Sequence, residues 1–258
     1  MLLLSTSSLK WYGIHKIFTI VKKSKYDGID LVIDEKNYDT LDEKYLKWLS
    51  DAFEVPVLSI TAPDRGLSKS KIDQIVKIAE ALKTQVINFY PPHISDKAMP
   101  SFPKYLNKLK KDLRISITLQ NVEQKFMLFV IPEYKNSNLV ELKKITGDTA
   151  LNIANLDKAS GIDILKAQNM LGSSLKNIYL SDKQWIKDGL LPGTAGWGVS
   201  SLPIESFMMK LKSSWYNWFF SLRVKPSELW IWDEEKVLYN LDLVQKYFKK
   251  HFLDYKVD

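Results

Sequence analysis

Apolar positions along the chain follow two periods that alternate from one end to the other. Short continuous apolar runs suit strands buried on both faces. They occur at Leu2–Leu4, Ile29–Ile33, Val57–Ile60, Val86–Phe89, Ile115–Leu119, Ala150–Ile153, Ile178–Leu180 and Phe219–Val224. Between them, apolar residues return at the spacing of one helix face. Ile14, Ile17, Phe18 and Val21 do so first, then Ile72, Ile75, Val76, Ala79 and Leu82 behind a Ser68 or Ser70 cap. Leu139, Leu142 and Ile145 run up to Gly147, and Ile164, Leu165, Gln168 and Leu171 up to Gly172. Further helices are expected around Leu41 to Phe53, from Phe102 to Leu113, after Pro203, and along Leu238, Leu241, Val244 and Phe248. Eight strand–helix units, spaced about 25–35 residues apart, predict an α/β fold, a (β/α)8 TIM barrel formed by residues 1–258 as a single domain.

Composition adds exclusions. The 258 residues are 45% hydrophobic and 26% charged, enough chain for a sizeable core. Net charge is +7, which fits an ordinary solvated surface, with an anionic substrate or nucleic acid as the alternative. The absence of cysteine excludes disulfides and thiolate chemistry. Three histidines, His15, His93 and His251, leave little room for a His-rich metal site. The start, MLLLSTSS, lacks a basic leader, and the aromatic stretch Trp215–Leu222 is too short to span a bilayer. A cytoplasmic protein with no membrane partner is expected.

In a barrel of this kind the working face lies at the C-terminal ends of the strands. Here those ends are Ser5 and Thr6, Asp34, Thr61, Tyr90, Gln120–Glu123, Ala154–Asp157, Tyr179–Lys183 and Arg223–Lys225. The stretch Lys176–Pro203 stands out: a strand opens into a loop with Gly193, Gly196 and Gly198, then a helix begins. That loop lacks the spacing and lysine of a P-loop, yet its backbone N–H groups suit a phosphate near strands seven and eight.

The segment NIYLSDK followed by LLPGTAGWG resembles the "v-H-l-x-D … P-G-x-G" segment of the xylose-isomerase-like barrels. That superfamily holds sugar-phosphate isomerases and epimerases and the metal-dependent AP endonucleases of family 2. ITLQNVE resembles its fifth strand ("l-x-l-E-N"), LNIANLD its sixth ("l-x-l-D-x-x-H") and FSLRVKP its eighth ("i-x-l-E-v-x-p"). The likeness runs in order along nearly the whole chain. It implies a divalent metal held by Glu, Asp, His and Glu at the ends of strands five to eight. At the matching positions this chain has Gln120, Ala154, Tyr179 and Arg223. A methyl cannot coordinate, a phenol is a poor ligand at neutral pH, and a guanidinium repels a dication. Thr61 and Tyr90 stand where the family has auxiliary histidines. The resemblance therefore implies a degenerate metal site and no cofactor, with a divalent metal at a shifted site of Glu123, Asp157 and Asp182 as the disfavoured alternative.

Arg223 needs an anionic partner, since its charge cannot be neutralised. Glu123, Asp157 and Asp182 are the candidate carboxylates; with Arg223 they form the candidate catalytic set. Each also reads as a loop carboxylate or a cap. Gln120, Asn121, Tyr179, Lys183, Gly193, Gly196 and Trp197 are the candidate ligand contacts. Asn121 reads equally as a bond to a neighbouring loop carbonyl. Gln120, Asn121, Asp157, Tyr179, Asp182 and Arg223 are expected to share one mouth. Trp185 and Trp197 could stack on a sugar ring. Trp215, Trp218, Phe219 and Phe220 read as packing, or as the surface of a homodimer. The expected partner is a small sugar or phosphorylated ligand. An active isomerase with a shifted carboxylate site is the alternative. A nucleic-acid binder ranks last, because lysines such as Lys22, Lys23 and Lys108 fall on outer helices.

Overall fold

The computed structural model describes residues 1–94, 96, 102–123, 125–128, 130–135, 138–156, 163–184, 187–193 and 202–256. Eight parallel strands close into a barrel: β1 (Leu2–Ser5), β2 (Gly28–Val32), β3 (Val57–Thr61), β4 (Val86–Phe89), β5 (Ser116–Gln120), β6 (Asp148–Asn152), β7 (Leu175–Leu180) and β8 (Phe219–Leu222). Each pairs with its sequence neighbours, and β8 returns to β1 through Leu2 opposite Phe220 and Leu4 opposite Leu222. Among the described residues, eight helices of eight or more residues form the outer layer, α1 (Ile14–Ser24), α2 (Glu43–Phe53), α3 (Lys69–Ala81), α4 (Phe102–Asp112), α5 (Leu139–Thr146), α6 (Ile164–Leu171), α7 (Ile204–Ser213) and α8 (Glu234–Phe248), with one further helical turn at Pro226–Leu229. The eight units expected from the apolar pattern are all present.

Local chemistry sets the boundaries. Side chains of Asp42, Ser68, Asn138, Asp163 and Asp233 accept backbone N–H groups at the starts of α2, α3, α5, α6 and α8, meeting donors that have no partner inside the helix. In α8 the buried stripe is Val237, Leu241, Val244 and Phe248, so Val237 takes the place expected for Leu238. Gly28 opens β2 where backbones approach closely: a Cβ there would lie 2.6 Å from the Pro56 carbonyl oxygen. That same carbonyl accepts the Ile29 N–H at 2.9 Å.

Strand alternation splits the core in two. Leu2, Leu4, Ile29, Leu31, Ile60, Ile87, Ile117 and Ile178 face the helices in the large outer core. Inside the barrel, Leu3, Val86 and Phe219 form an apolar floor. Above that floor the interior is polar and fully buried, with Asp30, Ser59, Asn88, Thr118, Asn177 and Ser221. Two small hairpins decorate the C-terminal face: Phe126–Met127 with Ile131–Pro132 after β5, and Asp182–Gln184 with Lys187–Leu190 after β7. No helix of the described residues is long and apolar enough to cross a membrane.

Candidate functional site

A buried carboxylate organises the interior. Asp30 lies on the inward phase of β2 and is fully buried. It accepts hydrogen bonds from Ser5 Oγ at 2.7 Å, Ser59 Oγ at 2.8 Å, Thr61 Oγ1 at 3.0 Å and Arg223 Nη2 at 3.2 Å. Four donors match the lone-pair capacity of one carboxylate. The polarity of the surrounding bonds follows from this sink. Thr118 donates to Asn88, and Asn88 donates to Ser59. Ser221 donates to Asn177, which in turn donates to Ser59. Because the Thr61 proton goes to Asp30, the 2.7 Å contact between Thr61 and Tyr179 is donated by the phenol. Such a network is held together by one negative charge at its end.

Arg223, just beyond β8, supplies the balancing cation. Nη2 reaches Asp30 and Thr61 (2.9 Å), Nη1 reaches Tyr90 Oη and Gln120 Oε1 (both 3.4 Å), and the guanidinium stacks 3.5 Å from the centroid of the Tyr179 ring. One side chain thus ties together residues from β2, β3, the end of β4, β5 and β7. Burial alone would lower the Arg223 pKa, but the oxygens of Tyr179, Tyr90 and Asp30 more than reverse this. The group stays protonated at every accessible pH. Burial pushes the Tyr179 phenol well above its ordinary value, with Arg223 opposing and Asp30 reinforcing the shift. Tyr179 is therefore a neutral hydrogen-bond donor.

The structure brings Gln120, Tyr179 and Arg223 into one centre and leaves other expected members outside it. Arg223 pairs with Asp30, not with Glu123 or Asp182. Glu123 is half exposed and lies 3.7 Å from Lys125. Asp182 is buried beside the β7 loop, where its Oδ1 accepts the backbone N–H groups of Lys183 at 2.7 Å and Leu202 at 3.1 Å. Burial raises its pKa, these two bonds lower it, and the net shift is upward. Asn121 clasps the backbone of Asn152, accepting its N–H at 2.6 Å and donating to its carbonyl at 2.9 Å; the local-bond reading holds for its carboxamide. Lys183 Nζ bonds the Ala154 carbonyl at 3.1 Å. Gly193 has φ +77°, and a Cβ there would meet the Tyr247 ring at 2.6 Å, so close packing accounts for this glycine. Asp157, Gly196 and Trp197, with Trp185 and Gly198, lie outside the described residues.

The sixth-strand position at the level of Tyr179 is Asn152 rather than Ala154. Its side chain accepts the Ala154 N–H. Asp30 is the central residue that sequence reasoning passed over. The signal was a charged residue inside an otherwise apolar parallel strand, where burial demands a partner.

A pocket of ≈370 Å³ opens beside this centre, over the ends of β1 to β4. Thr6, Ser7, Asp34 and Tyr90 line it, with Lys10 and Lys36 among its bordering residues. Thr6 Oγ1 accepts the Val32 N–H at 2.9 Å, so its own proton is free to donate. Tyr90 Oη likewise accepts from Arg223 and keeps its O–H. Asp34 offers carboxylate oxygens, one of which caps the Lys36 N–H at 2.9 Å. Alternating donors and acceptors of this kind suit a polyol.

The centre's donor set does not fit a divalent metal. Among the described residues it provides one carboxylate whose acceptor sites are filled, an amide oxygen, hydroxyls, two phenols and a fixed cation. Dication sites need several anionic or imidazole ligands converging on one point. Among the described residues no group of three or more His, Asp or Glu side chains converges in that way. The three histidine rings pack separately, against Phe53, Tyr134 and Tyr247.

No protein-family model matches the chain, and no curated protein matches it. Solved structures do match. A D-allulose 3-epimerase from Methylomonas sp., in complex with D-allulose, superposes with a TM-score of 0.70 at 12% identity, over 97% of this chain and 96% of that one. The IolI protein with a bound zinc atom gives 0.71 at 13% identity, over 97% and 99%. A D-tagatose 3-epimerase-like protein gives 0.67 at 16% identity, over 96% and 97%. At these identities the likeness shows a shared fold, the (β/α)8 barrel.

Proposed function

We propose that this barrel binds a small sugar or phosphorylated sugar at its C-terminal mouth, and that a guanidinium stands at the centre in place of a catalytic divalent metal. The chain is then a ligand-binding relative of the sugar epimerases and not a metal-dependent isomerase. One observation carries the reading: Arg223 engages residues of five strands or their ends, including Asp30, the one carboxylate at the centre among the described residues. With Asp30 saturated by four donors, no free base stands at the centre among the described residues to move a proton. The adjoining pocket supplies the recognition. Thr6 and Tyr90 would donate to ligand oxygens, Asp34 would accept from ligand hydroxyls, and Lys10 and Lys36 would attract a phosphate from the rim. Nucleic acid fits less well, since Lys22 and Lys23 on α1 are paired with Glu54 and Glu234.

Calorimetry on metal-stripped protein tests this. Mn²⁺ and Zn²⁺ should show no stoichiometric site of micromolar strength. D-allulose, D-tagatose or D-fructose 6-phosphate should bind, and Tyr90→Phe should weaken that binding. A tight stoichiometric metal site, lost on changing Asp157 or Asp182, would restore the metal-dependent isomerase.

A further inference from the structure

The opposite end of the barrel holds a second concavity, of ≈410 Å³, where β7 and β8 begin and α6 and α7 end. Gln168, Asn169, Ser173, Trp215, Asn217 and Trp218 line it. The N-terminal face of such a barrel ordinarily serves stability alone. Here its residues break local rules. Trp215 follows the end of α7 with φ +59° and is 90% exposed. Glycine is the usual choice for a left-handed residue at that position, and a bulky aromatic is an outlier there. Its large apolar face gains nothing from packing. Tyr216, next in the chain, donates its hydroxyl to the Phe219 carbonyl at 2.8 Å, while Lys176 Nζ sits 4.3 Å from the Trp218 ring centroid.

The polar wall is unsatisfied in a defined way. Gln168 is 6% exposed, and its Nε2 donates to Ser214 Oγ at 3.0 Å. The Ser214 hydroxyl donates to the carbonyls of Lys210 at 2.9 Å and Leu211 at 3.0 Å, so towards Gln168 it can only accept. That fixes the carboxamide and leaves Gln168 Oε1 buried without a donor. Among the described residues, the side chains of Asn169, Ser173 and Asn217 have no hydrogen-bond partner. Carboxamides carry a donor and an acceptor side by side, the complement of neighbouring hydroxyls. Lys176, the one cation on this wall, already faces the Trp218 ring.

We infer that this concavity is a second binding site, for a neutral sugar ring. A pyranose stacks its C–H face on Trp215, and its hydroxyls meet the exposed side chains of Asn169, Ser173 and Asn217. The interleaved amides favour this occupant over a second copy of the chain, for which an exposed tryptophan would sit among apolar neighbours.

Nitrogen-15 spectra of the full chain, read at the indole N–H signals, test the site. D-glucose, D-galactose and N-acetyl-D-glucosamine are titrated in turn. At least one should shift Trp215 and Trp218 with a Kd of about 1–10 mM. Trp215→Ala, at a site too exposed to unfold the barrel, should weaken binding about tenfold or more. Asn217→Ala should weaken it too, while Tyr90→Phe in the mouth should leave it unchanged. Three results would each overturn the inference. One is no indole shift with any of the sugars, and another is shifts that persist in Trp215→Ala. The third is an indole shift that tracks protein concentration and ignores sugar, which would assign the face to chain–chain contact.

Discussion

The half of the mouth built by β1 to β4 and the half built by β5 to β8 both carry polar side chains, and they use them in opposite ways. In the second half Gln120, Tyr179 and Arg223 engage one another and reach across to Asp30 and Thr61. In the first half Thr6, Asp34 and Tyr90 keep a proton or a lone pair facing a ≈370 Å³ pocket. The difference teaches what a built-in cation does to a barrel. A guanidinium on the chain takes its carboxylate permanently, so that carboxylate cannot recruit an exchangeable ion. On the function proposed here, recognition falls to the side of the mouth whose hydroxyls remain uncommitted.

The sharpest way to break this contrast is Asp30→Ala. It leaves Arg223 buried without a counter-charge and removes the acceptor for Ser5, Ser59 and Thr61. Urea denaturation should show a loss of about 3–5 kcal/mol. Asp30→Leu combined with Arg223→Met should recover most of it, since an apolar pair of similar volume avoids desolvating two ions. A loss under about 1 kcal/mol for Asp30→Ala would mean that the centre is wet and the contrast false.

On the open side the pattern should invert. Tyr90→Phe and Asp34→Asn should each weaken sugar binding about five- to tenfold, as expected for one lost hydrogen bond, while moving stability by less than about 1 kcal/mol. Equal damage to stability and affinity would mean that the pocket is structural. Asp182 gives a smaller, pH-dependent effect. Its folded pKa is raised above 3.8, so the folded chain holds this proton more tightly than the unfolded chain does. Its contribution to stability is therefore full at low pH and declines as pH rises from the ordinary value through the raised one. Asp182→Asn should remove that slope from urea midpoints measured between pH 4 and 7. At the far end of the scale, Lys47→Ala breaks an exposed i,i+4 pair with Asp51 and should cost about 0.3–0.5 kcal/mol.

The barrel was readable from the chain because its signals are local. Apolar runs, caps such as Ser68 and stops such as Gly147 and Gly172 lie within a few residues of the boundaries that they set. The mouth was readable only in part. Gln120, Tyr179 and Arg223 fall on the inward phase at strand ends, and alternation finds them. The partner of Arg223 was missed because barrel closure decides it: β8 lies beside β1, and β1 beside β2, which brings the inward Asp30 to Arg223 in place of Glu123 or Asp182 on the loops. Asn121 was ambiguous for the opposite reason, since a carboxamide one residue past a strand can serve the next strand's backbone as readily as a ligand.

Barrel closure also sets a timetable for the newborn chain. Leu2 pairs with Phe220, roughly two hundred residues later, an interval on the order of ten to forty seconds at ordinary rates of synthesis. Asp30 meets Ser5 early, Ser59 and Thr61 soon after, and its cation last of all. Until Arg223 emerges, β2 must bury an unbalanced carboxylate or leave it in water, and water is the cheaper choice. Completion of the ring therefore waits for the final strand. A chain ending at Asn217 should remain open to protease around Gly28–Val32, and protection of that segment in the shortened chain would show that the barrel assembles without waiting.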